Sequence, residues 1–422
     1  MIKNKYDVII AGGGTAGCAC AYTAGKLGLK VLLVEKNSFL GGSITSSLVI
    51  PAMKTSQNAI NTDFFNILYN ELHSINGAST YIDGNKGWFN PELTKIALDK
   101  LLINANVDLL FEHKLKQIDT TLSSYIVTIC NDNTFCLDKY LSAPIETKYI
   151  VDATGDAQIC KLLNYKFLND NEKFQPVNLR FIMSGINIDK FSNWLMNYDF
   201  NRDVTTCCNI DGFKLLSTAY TWDTNVDWAL SPIFNKAINE GDITEEDANY
   251  FQIFSVAGTH DSIAFNCPRI LDSNLSRSEA YVSGRKSILR LSEFCKKYFP
   301  GFEKAYISSI ANSLGIRVSN RVKGKYIYTK DDLISGKKFD NPVVISNYPI
   351  DIHSSNKNNS KLEKVYQEYQ LPLESLIVDK NLFVIGRCIS ADFEAIGALR
   401  IIPSCFSMGE GLAKYIYYNI NK

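Results

Sequence analysis

The chain has few of the residues that build metal centres. It contains four histidines, and none of its 11 cysteines stands in a Cys-x-x-Cys pair. Zinc sites and iron–sulfur clusters need closely spaced thiolate or imidazole ligands. Because that spacing is missing, we predict no metal, and we interpret the cysteines as reduced thiols that pack in the interior.

Charge of one sign and long apolar runs are also lacking. Lysine plus arginine and aspartate plus glutamate both number 44, so the formal net charge is zero. Without a long basic run, nucleic acid and anionic membranes are not expected partners. The apolar runs are too short for a transmembrane helix, and the first begins too close to the N-terminus to leave room for a signal peptide. We therefore expect a cytoplasmic protein.

The most informative motif follows the first apolar run, Tyr6 to Ala11. Gly12, Gly14 and Gly17 occupy the glycine positions of G-x-G-x-x-G, and an alanine-rich segment comes next. A strand, a glycine turn and a helix in this order are typical of a dinucleotide-binding unit, whose turn and helix N-terminus bind a pyrophosphate. Glu35 ends the next apolar run and is placed to bind an adenosine ribose. These residues alone leave NAD and FAD open.

Local patterns predict several elements further along the chain. Apolar spacing predicts helices over 61–75 and about 275–298. Asn90 and Pro91 form a cap and a first helical residue, which predicts a helix to about Asn104. Alternating stretches near 124–130 and 134–141 predict a small β-meander. Ser354 to Asn359 is a low-complexity stretch that predicts an exposed loop.

The length and the change of pattern predict two domains, one interrupting the other. A chain of 422 residues exceeds the size at which single cores stop growing. The α/β pattern stops near residue 166 and resumes near residue 376. We predict an α/β fold with a Rossmann-like domain over 1–165 and 376–422, interrupted by an α+β substrate domain over 166–375.

Three further motifs accompany the first glycine turn. A glycine pair, Gly41 and Gly42, follows Glu35, and the stretch from Ala153 to Asp156 forms another turn after an apolar run. Gly386 and Arg387 follow the last predicted strand, and Pro403 begins the predicted final helix.

Taken together, these motifs resemble the FAD-dependent oxidoreductases of the glutathione-reductase-like flavoprotein superfamily, related to the flavin part of heterodisulfide reductase. The resemblance is most specific from Gly386 to Ser390 and from Arg400 to Cys405, and it is poorest around residues 190–260. The segments that carry it are 7–35, 40–47, 152–157, 316–328, 348–353 and 381–411. It implies FAD as the cofactor and a glutathione-reductase-type FAD domain.

The resemblance also implies roles for particular residues. The first glycine turn would hold the pyrophosphate, and the N-terminus of the last helix would point at the N1–C2 edge of the flavin, where its dipole stabilises negative charge. The predicted cofactor-binding residues are Gly12, Gly14, Thr15, Ala16, Gly17, Glu35, Lys36, Gly42, Ser43, Ala153, Thr154, Gly155, Asp156, Gly386, Arg387, Ser404 and Cys405.

Two positions depart from the family pattern. Relatives often have aspartate where this chain has Arg387, and the group often has arginine where this chain has Glu374. Arginine cannot accept a proton from a ribityl hydroxyl, but it can pair bidentately with phosphate. We therefore do not transfer substrate assignments from the family.

The catalytic candidates are His353, Arg400 and Arg317. His353 ends a segment that covers the flavin in the family, where an imidazole could move a proton; a residue at the end of a strand is the alternative. Arg400 directly precedes the last helix. Arg317 and Arg321 are four residues apart, so they would share one face of a helix or one side of a strand and could clamp a substrate carboxylate. Structural ion pairs would explain them equally well.

Other polar residues are weaker candidates. Asn266 and Arg269 form a short polar cluster, and His260 lies in a loop motif. Cys388 and Cys405 both lie in flavin-adjacent motifs and could form a redox pair, although their spacing favours packing.

The function predicted from these features is a flavin-dependent oxidoreductase. It would transfer hydride or electrons between non-covalently bound FAD and a small organic substrate, with the flavin at the seam of the two domains. An electron-carrying flavoprotein that serves a partner protein is the second hypothesis. A nicotinamide-dependent dehydrogenase is the third.

Overall fold

The computed structural model describes residues 2–131, 144–168, 175–220, 228–271, 274–353 and 361–422. The strand predicted near 134–141 and the loop predicted at Ser354 to Asn359 lie outside these ranges.

Eleven α-helices are formed by the described residues, together with a 3-10 helix at Leu373–Leu376. They are α1 (Thr15–Lys26), α2 (Asp63–Ser74), α3 (Pro91–Asn104), α4 (Gln158–Leu162), α5 (Ile188–Tyr198), α6 (Ser231–Asn239), α7 (Glu245–Ala248), α8 (Arg277–Tyr298), α9 (Lys330–Ile334), α10 (Phe393–Leu399) and α11 (Ile402–Ile420).

The strands of the described residues fall into two large sheets and several two-stranded pairs. They are β1 (Lys5–Ala11), β2 (Val31–Val34), β3 (Ala78–Ser79), β4 (Trp88–Phe89), β5 (Val107–Leu110), β6 (Lys114–Thr120), β7 (Tyr125–Cys130), β8 (Ile145–Asp152), β9 (Val177–Asn178), β10 (Phe181–Ser184), β11 (Thr206–Ile210), β12 (Phe213–Tyr220), β13 (Phe251–Ser255), β14 (Ile263–Phe265), β15 (Arg269–Ile270), β16 (Tyr306–Ile310), β17 (Pro342–Ser346), β18 (Ile350–Ile352), β19 (Lys361–Glu363), β20 (Tyr369–Pro372), β21 (Ile377–Asp379) and β22 (Leu382–Val384).

The first sheet has the order β5-β2-β1-β8-β22-β21. Its first five strands are parallel, and β21 is antiparallel to β22. The hairpin β6–β7 pairs with the start of β8, so β8 belongs to both the sheet and a small meander. The second half of β1, from Val8 to Ala11, and all of β2 are apolar and buried because both faces of a parallel sheet are covered. The carboxyl ends of β1, β2, β8 and β22 therefore meet at one edge of the sheet.

Helices α1 and α11 pack closely against each other beside this sheet. Gly409 of α11 makes the approach possible, because a Cβ there would lie 2.2 Å from the carbonyl oxygen of Ala16 and 2.9 Å from the amide nitrogen of Cys20. The close crossing brings together the starts of two helices that are separated by almost the whole chain.

The second sheet is antiparallel and has the order β11-β12-β13-β14-β10-β16. Aromatic side chains join it to its helices: Phe234 of α6 contacts Phe251 of β13 and Phe294 of α8, with ring centroids 5.1 and 4.7 Å apart. At one edge of the sheet, β16 pairs with β10.

The predicted α/β fold class is confirmed, and so are the predicted helices. The Asn90 side chain accepts hydrogen bonds from the amides of Glu92 and Leu93 and so caps α3, as its sequence indicates. The final helix begins at Ile402, one residue before the predicted Pro403, and α10 was not predicted. The domain boundaries near residues 165 and 375 stay a prediction.

Within the described residues, no helix is both long and apolar enough to cross a membrane. No group of three or more histidine, cysteine, aspartate or glutamate side chains in these same ranges is arranged to hold a metal ion.

Candidate cofactor and substrate cavity

A cavity of about 1210 Å³ opens where the parallel strands end. All of the predicted cofactor-binding residues line it except Gly17 and Ser404. The predicted catalytic residues Arg317, His353 and Arg400 also line it. The fold thus brings segments from both ends of the chain and from its middle to one site.

The glycines of the first turn serve two different purposes. Gly12 has a φ of +105°, and a Cβ there would lie 2.5 Å from the carbonyl oxygen of Ala153. A Cβ at Gly17 would lie 2.0 Å from the carbonyl oxygen of Gly12. At Gly14 the nearest atom to an added Cβ is the Cα of Gly42, at 3.9 Å. Protein packing therefore requires the first and third glycines, whereas the second leaves open space beside the cavity, which fits the close approach of a pyrophosphate.

Glu35 lies at the end of β2, where the sequence predicts a ribose-binding acid. Its carboxylate accepts hydrogen bonds from the amide of Gly13 at 2.7 Å and from the amide and side chain of Asn37 at 2.9 and 2.8 Å. Burial raises the pKa of this carboxyl, although these hydrogen bonds oppose the shift. Glu35 therefore orients the glycine turn. Oε1 already accepts two hydrogen bonds, so the lone pair left for a ribose hydroxyl group is on Oε2.

Arg387 contacts a carboxylate. Its Nη2 donates to Asp156 Oδ1 at 2.6 Å, and its guanidinium lies over Gly155, where an added Cβ would be 3.2 Å from Cζ. Burial opposes ionisation of Asp156, but the charge of Arg387 outweighs it and lowers the pKa of the carboxyl. Asp156 thus holds Arg387 at the cavity wall, and the pairing of Arg387 with phosphate stays a prediction.

The start of α11 faces the cavity through Ile401, Ile402 and Cys405. Ser404 is 1 % exposed, and its Oγ has no hydrogen-bond partner among the described residues. Burial raises the pKa of the Cys405 thiol to about 11 and also raises the pKa of Cys388. Cys388 packs in an apolar cluster and does not itself line the cavity. The two thiols therefore do not share the site, and packing accounts for Cys388.

His353 belongs to a buried network. Arg269 Nη2 lies 2.8 Å from His353 Nδ1, and His353 Nε2 lies 3.2 Å from Asp351 Oδ2. A guanidinium only donates and a carboxylate only accepts, so Nδ1 carries no proton and Nε2 does. Both ring nitrogens are therefore engaged by protein, and the imidazole positions Asp351 and Arg269 rather than facing the cavity with a free nitrogen.

Asp351 is held by groups on two sides. Arg400 Nη2 donates to the backbone oxygen of Asp351 at 2.8 Å and approaches Oδ2 at 3.4 Å. Burial opposes ionisation of Asp351, but His353 and the charges of Arg400 and Arg317 outweigh it and lower its pKa. Asp351 therefore carries a negative charge between the imidazole and the arginines.

The expectation that Arg317 and Arg321 share one face or one side is wrong. The segment from 316 to 320 is neither helix nor strand. Arg317 donates to the carbonyl oxygen of Pro176 at 2.7 Å in the cavity wall, whereas Arg321 donates to the carbonyl oxygen of Ala391 at 2.8 Å and does not line the cavity. Isolated bridges from Gly315 to Asn178 and from Val322 to Phe167 flank the segment in place of a regular ladder.

Sequence reasoning missed part of the cavity wall. Arg180 directly precedes β10, Tyr250 directly precedes β13, and Asp351 lies on β18 two residues before His353. The Arg269 guanidinium stacks on the Tyr250 ring, with Cζ 3.9 Å from the ring centroid. Two signals were available in the sequence: an arginine beside an otherwise apolar strand, and an acid two residues from a histidine. Neither signal identifies the residue's partner in the folded chain.

The neutral state of His353 makes stability depend on pH. Burial, followed by the charge of Arg317, lowers the pKa of His353 to about 3, against about 6.5 in an unfolded chain. As the pH falls, His353 therefore takes up a proton in the unfolded state before it does so in the native state. Its contribution to the free energy of unfolding is complete above about pH 6.5 and is lost as the pH falls towards 3.

We expect the wild-type free energy of unfolding to fall more than that of His353→Gln between about pH 7.5 and about pH 4.5. Urea titrations of both proteins measure it, and parallel pH curves would contradict it.

Comparison with known proteins identifies the family. Residues 7–422 match the model of the family described as FAD dependent oxidoreductase. The match covers nearly the whole chain, so the protein belongs to this family. The predicted class of FAD-dependent oxidoreductases and FAD as the cofactor are thereby confirmed. The relation to the glutathione-reductase-like superfamily stays a prediction.

Individual relatives are similar over shorter stretches. Dihydrolipoyl dehydrogenase of Trypanosoma brucei brucei is 45% identical over 51 residues, which are 12% of this chain and 11% of that protein. An uncharacterized protein of Methanosarcina barkeri is 28% identical over 165 residues, which are 36% of this chain and 40% of that protein. The chain thus spans less than half the length of these curated relatives.

A solved structure shares the overall fold. The p-nitrophenol 4-monooxygenase PnpA of Pseudomonas putida DLL-E4 has a TM-score of 0.50 at 12% identity, over 99% of this chain and 81% of the other. At this identity the similarity concerns the fold alone.

Proposed function

We propose that the protein transfers hydride or electrons between non-covalently bound FAD and a small organic substrate. The observation that carries the proposal is the continuity of the cavity. One side is lined by the glycine turn and Glu35, and the other by polar side chains from around the second sheet, including Arg180, Tyr250 and Asn266. Its volume of about 1210 Å³ exceeds the ~300–1,000 Å³ typical of ligand sites. A dinucleotide and a second small molecule would both find room.

The residues at the dinucleotide side fit FAD. The first amide groups of α1 have no partner within the helix. They lie beside the cavity at Gly14 and Thr15, where the positive end of the helix dipole favours phosphate. Glu35 offers the remaining lone pair of Oε2 to a ribose hydroxyl group. Gly386 and Arg387 line the part of the cavity contributed by the C-terminal segment.

The bound flavin would supply the group that accepts or gives up hydride or electrons. Around it, the start of α11 and Arg400 would stabilise negative charge through the helix dipole and the guanidinium. Arg317 would bind and orient the substrate. His353 would hold Asp351 and Arg269 in place and would not itself move a proton, because both of its nitrogens are engaged.

The polar network around Asp351 favours an enzyme over the second hypothesis, an electron carrier. A carrier needs an accessible flavin edge beside a partner surface, whereas buried charged side chains facing a cavity suit a small substrate. The family to which the chain belongs is described as FAD dependent, which supports a flavoprotein over a nicotinamide-only dehydrogenase. The cytoplasmic location and the electron-transfer partner stay predictions.

The visible spectrum of the purified protein tests the proposal. We expect the absorption bands of oxidised flavin, either as isolated or after incubation with FAD. Acid precipitation should leave a colourless pellet and release FAD into the supernatant, because no covalent link is proposed. A protein that cannot be loaded with FAD but binds NAD would overturn the proposal, and a yellow pellet would overturn non-covalent binding.

A further inference from the structure

The substrate side of the cavity holds an imbalance of charge. Four arginines line it, Arg180, Arg269, Arg317 and Arg400, and the acid among them is Asp351. Of the other acids that line the cavity within the described ranges, Glu35 and Asp156 are engaged at the dinucleotide side and Asp203 is exposed. The arginine cluster, as we call these four residues, therefore has more positive charge than its protein surroundings neutralise.

The cluster is buried and its members repel one another. Arg269 and Arg317 are 8 % and 7 % exposed, and the Arg400 side chain is 14 % exposed. Burial, and then the like charges of Arg269, Arg400 and Arg180, lower the pKa of Arg317. A buried charge without a counter-charge is costly, and an arginine does not escape by losing its proton. An anion in the cavity would offset this cost.

Unused hydrogen-bonding capacity also remains on the guanidinium groups of the arginine cluster. Each guanidinium has five N–H donors. The protein partners are one carbonyl oxygen for Arg317, the His353 ring for Arg269, and Asp351 for Arg400. The buried Nε atoms of Arg269 and Arg400 have no hydrogen-bond partner in the described part of the chain.

We infer that the arginine cluster binds a small dianion, so that the substrate of the proposed reaction is a doubly charged organic acid; this rests on the proposed function. Two or more guanidinium groups match the oxygen pairs of carboxylates and of phosphate. Val49, Met53 and Phe254 line the same cavity and leave an apolar wall for the hydrocarbon part of such a molecule.

Binding of named anions to the FAD-loaded protein tests the inference. The probes are malonate, succinate and glutarate in one arm and inorganic phosphate in the other, with dimethyl succinate as the neutral control. Saturable changes in the flavin spectrum report binding next to the cofactor. We expect at least one dianion to bind, the dissociation constant to rise with salt, and the neutral ester not to bind. Preference for the dicarboxylates over phosphate, or the reverse, identifies the anionic group.

Matched variants connect binding to the cluster. Arg317→Gln removes one guanidinium from the cavity wall, and we expect at least about tenfold weaker dianion binding. Arg321→Gln is the control, because Arg321 is also buried and also donates to a carbonyl oxygen but does not line the cavity. Arg317→Lys keeps the charge without the planar fork and serves if the glutamine variant does not fold.

Two results would overturn the inference. One is the absence of binding by every dianion to wild-type protein that carries FAD; the other is unchanged dianion binding in the Arg317 variants. Failure to load FAD would instead overturn the proposed function. In that case calorimetry with the same anions on the apoprotein still decides whether the cluster binds them.

Discussion

Replacement of Gly14 by alanine is expected to weaken FAD binding by about 10- to 100-fold, with little change in the stability of the apoprotein. Gly14 precedes α1 with φ −75° and ψ −172°, which alanine adopts without strain. The added Cβ would meet no protein atom closer than 3.9 Å. It would occupy the space beside the glycine turn that the pyrophosphate needs. Overpacking a filled site costs about 1–3 kcal/mol, and about 1.4 kcal/mol corresponds to a factor of ten.

Titration of the apoprotein with FAD, followed by flavin fluorescence, measures this affinity. The melting temperature of the apoprotein, compared with wild type, checks that the fold is intact. If Gly14→Ala binds FAD as tightly as wild type does, the pyrophosphate does not lie against this turn. The assignment of the first glycine motif to FAD would then be wrong.

Gly17→Ala, only three residues further along, is expected to have the opposite effect, because it should lower the stability of the apoprotein itself. Alanine is favoured over glycine in a helix by about 1 kcal/mol, so an unhindered site would gain stability. Here the Cβ would lie 2.0 Å from the carbonyl oxygen of Gly12 and 3.2 Å from the Ala153 Cβ. The nearest atom is backbone and cannot rotate away, so α1 must shift from the strand ends. We expect a net loss of about 1–3 kcal/mol in the free energy of unfolding.

Urea unfolding of the apoprotein measures this loss directly, without any contribution from the cofactor. Gly14→Ala is its matched control, because it adds the same methyl group at the start of the same helix. Equal or greater stability of Gly17→Ala would show that α1 does not pack on the turn as closely as the structure has it. The two variants thus separate the glycine that the cofactor requires from the glycine that the fold requires.

The network around Asp351 changes how the catalytic candidates are understood. From sequence, His353 was a candidate for proton transfer. In the structure its two nitrogens are engaged by Arg269 and Asp351, and it stays neutral at ordinary pH. Its role is therefore to organise charged neighbours. Binding and orientation of the substrate then depend on the arginines, and proton transfer is left to another group or to water.

The dinucleotide side of the cavity was predicted from sequence in detail because its signals are local. A strand, a glycine turn and a helix form from consecutive residues, and Glu35 follows at a fixed distance along the same unit. The Gly386–Arg387 turn and the last helix were found through the family resemblance. Even there, the sequence did not reveal that Asp156 pairs with Arg387, because the two are 231 positions apart.

The sequence by itself determined the α/β class, the strand–turn–helix unit and FAD, since each depends on short-range spacing or on a family motif. Only the tertiary structure decided what the arginines do. Arg317 and Arg321 were paired by spacing, yet the chain from 316 to 320 is irregular, and Arg317 instead lines one cavity with Arg180, Arg269 and Arg400. These residues come from distant segments that packing brings to one cavity, and no periodicity in the sequence records that encounter.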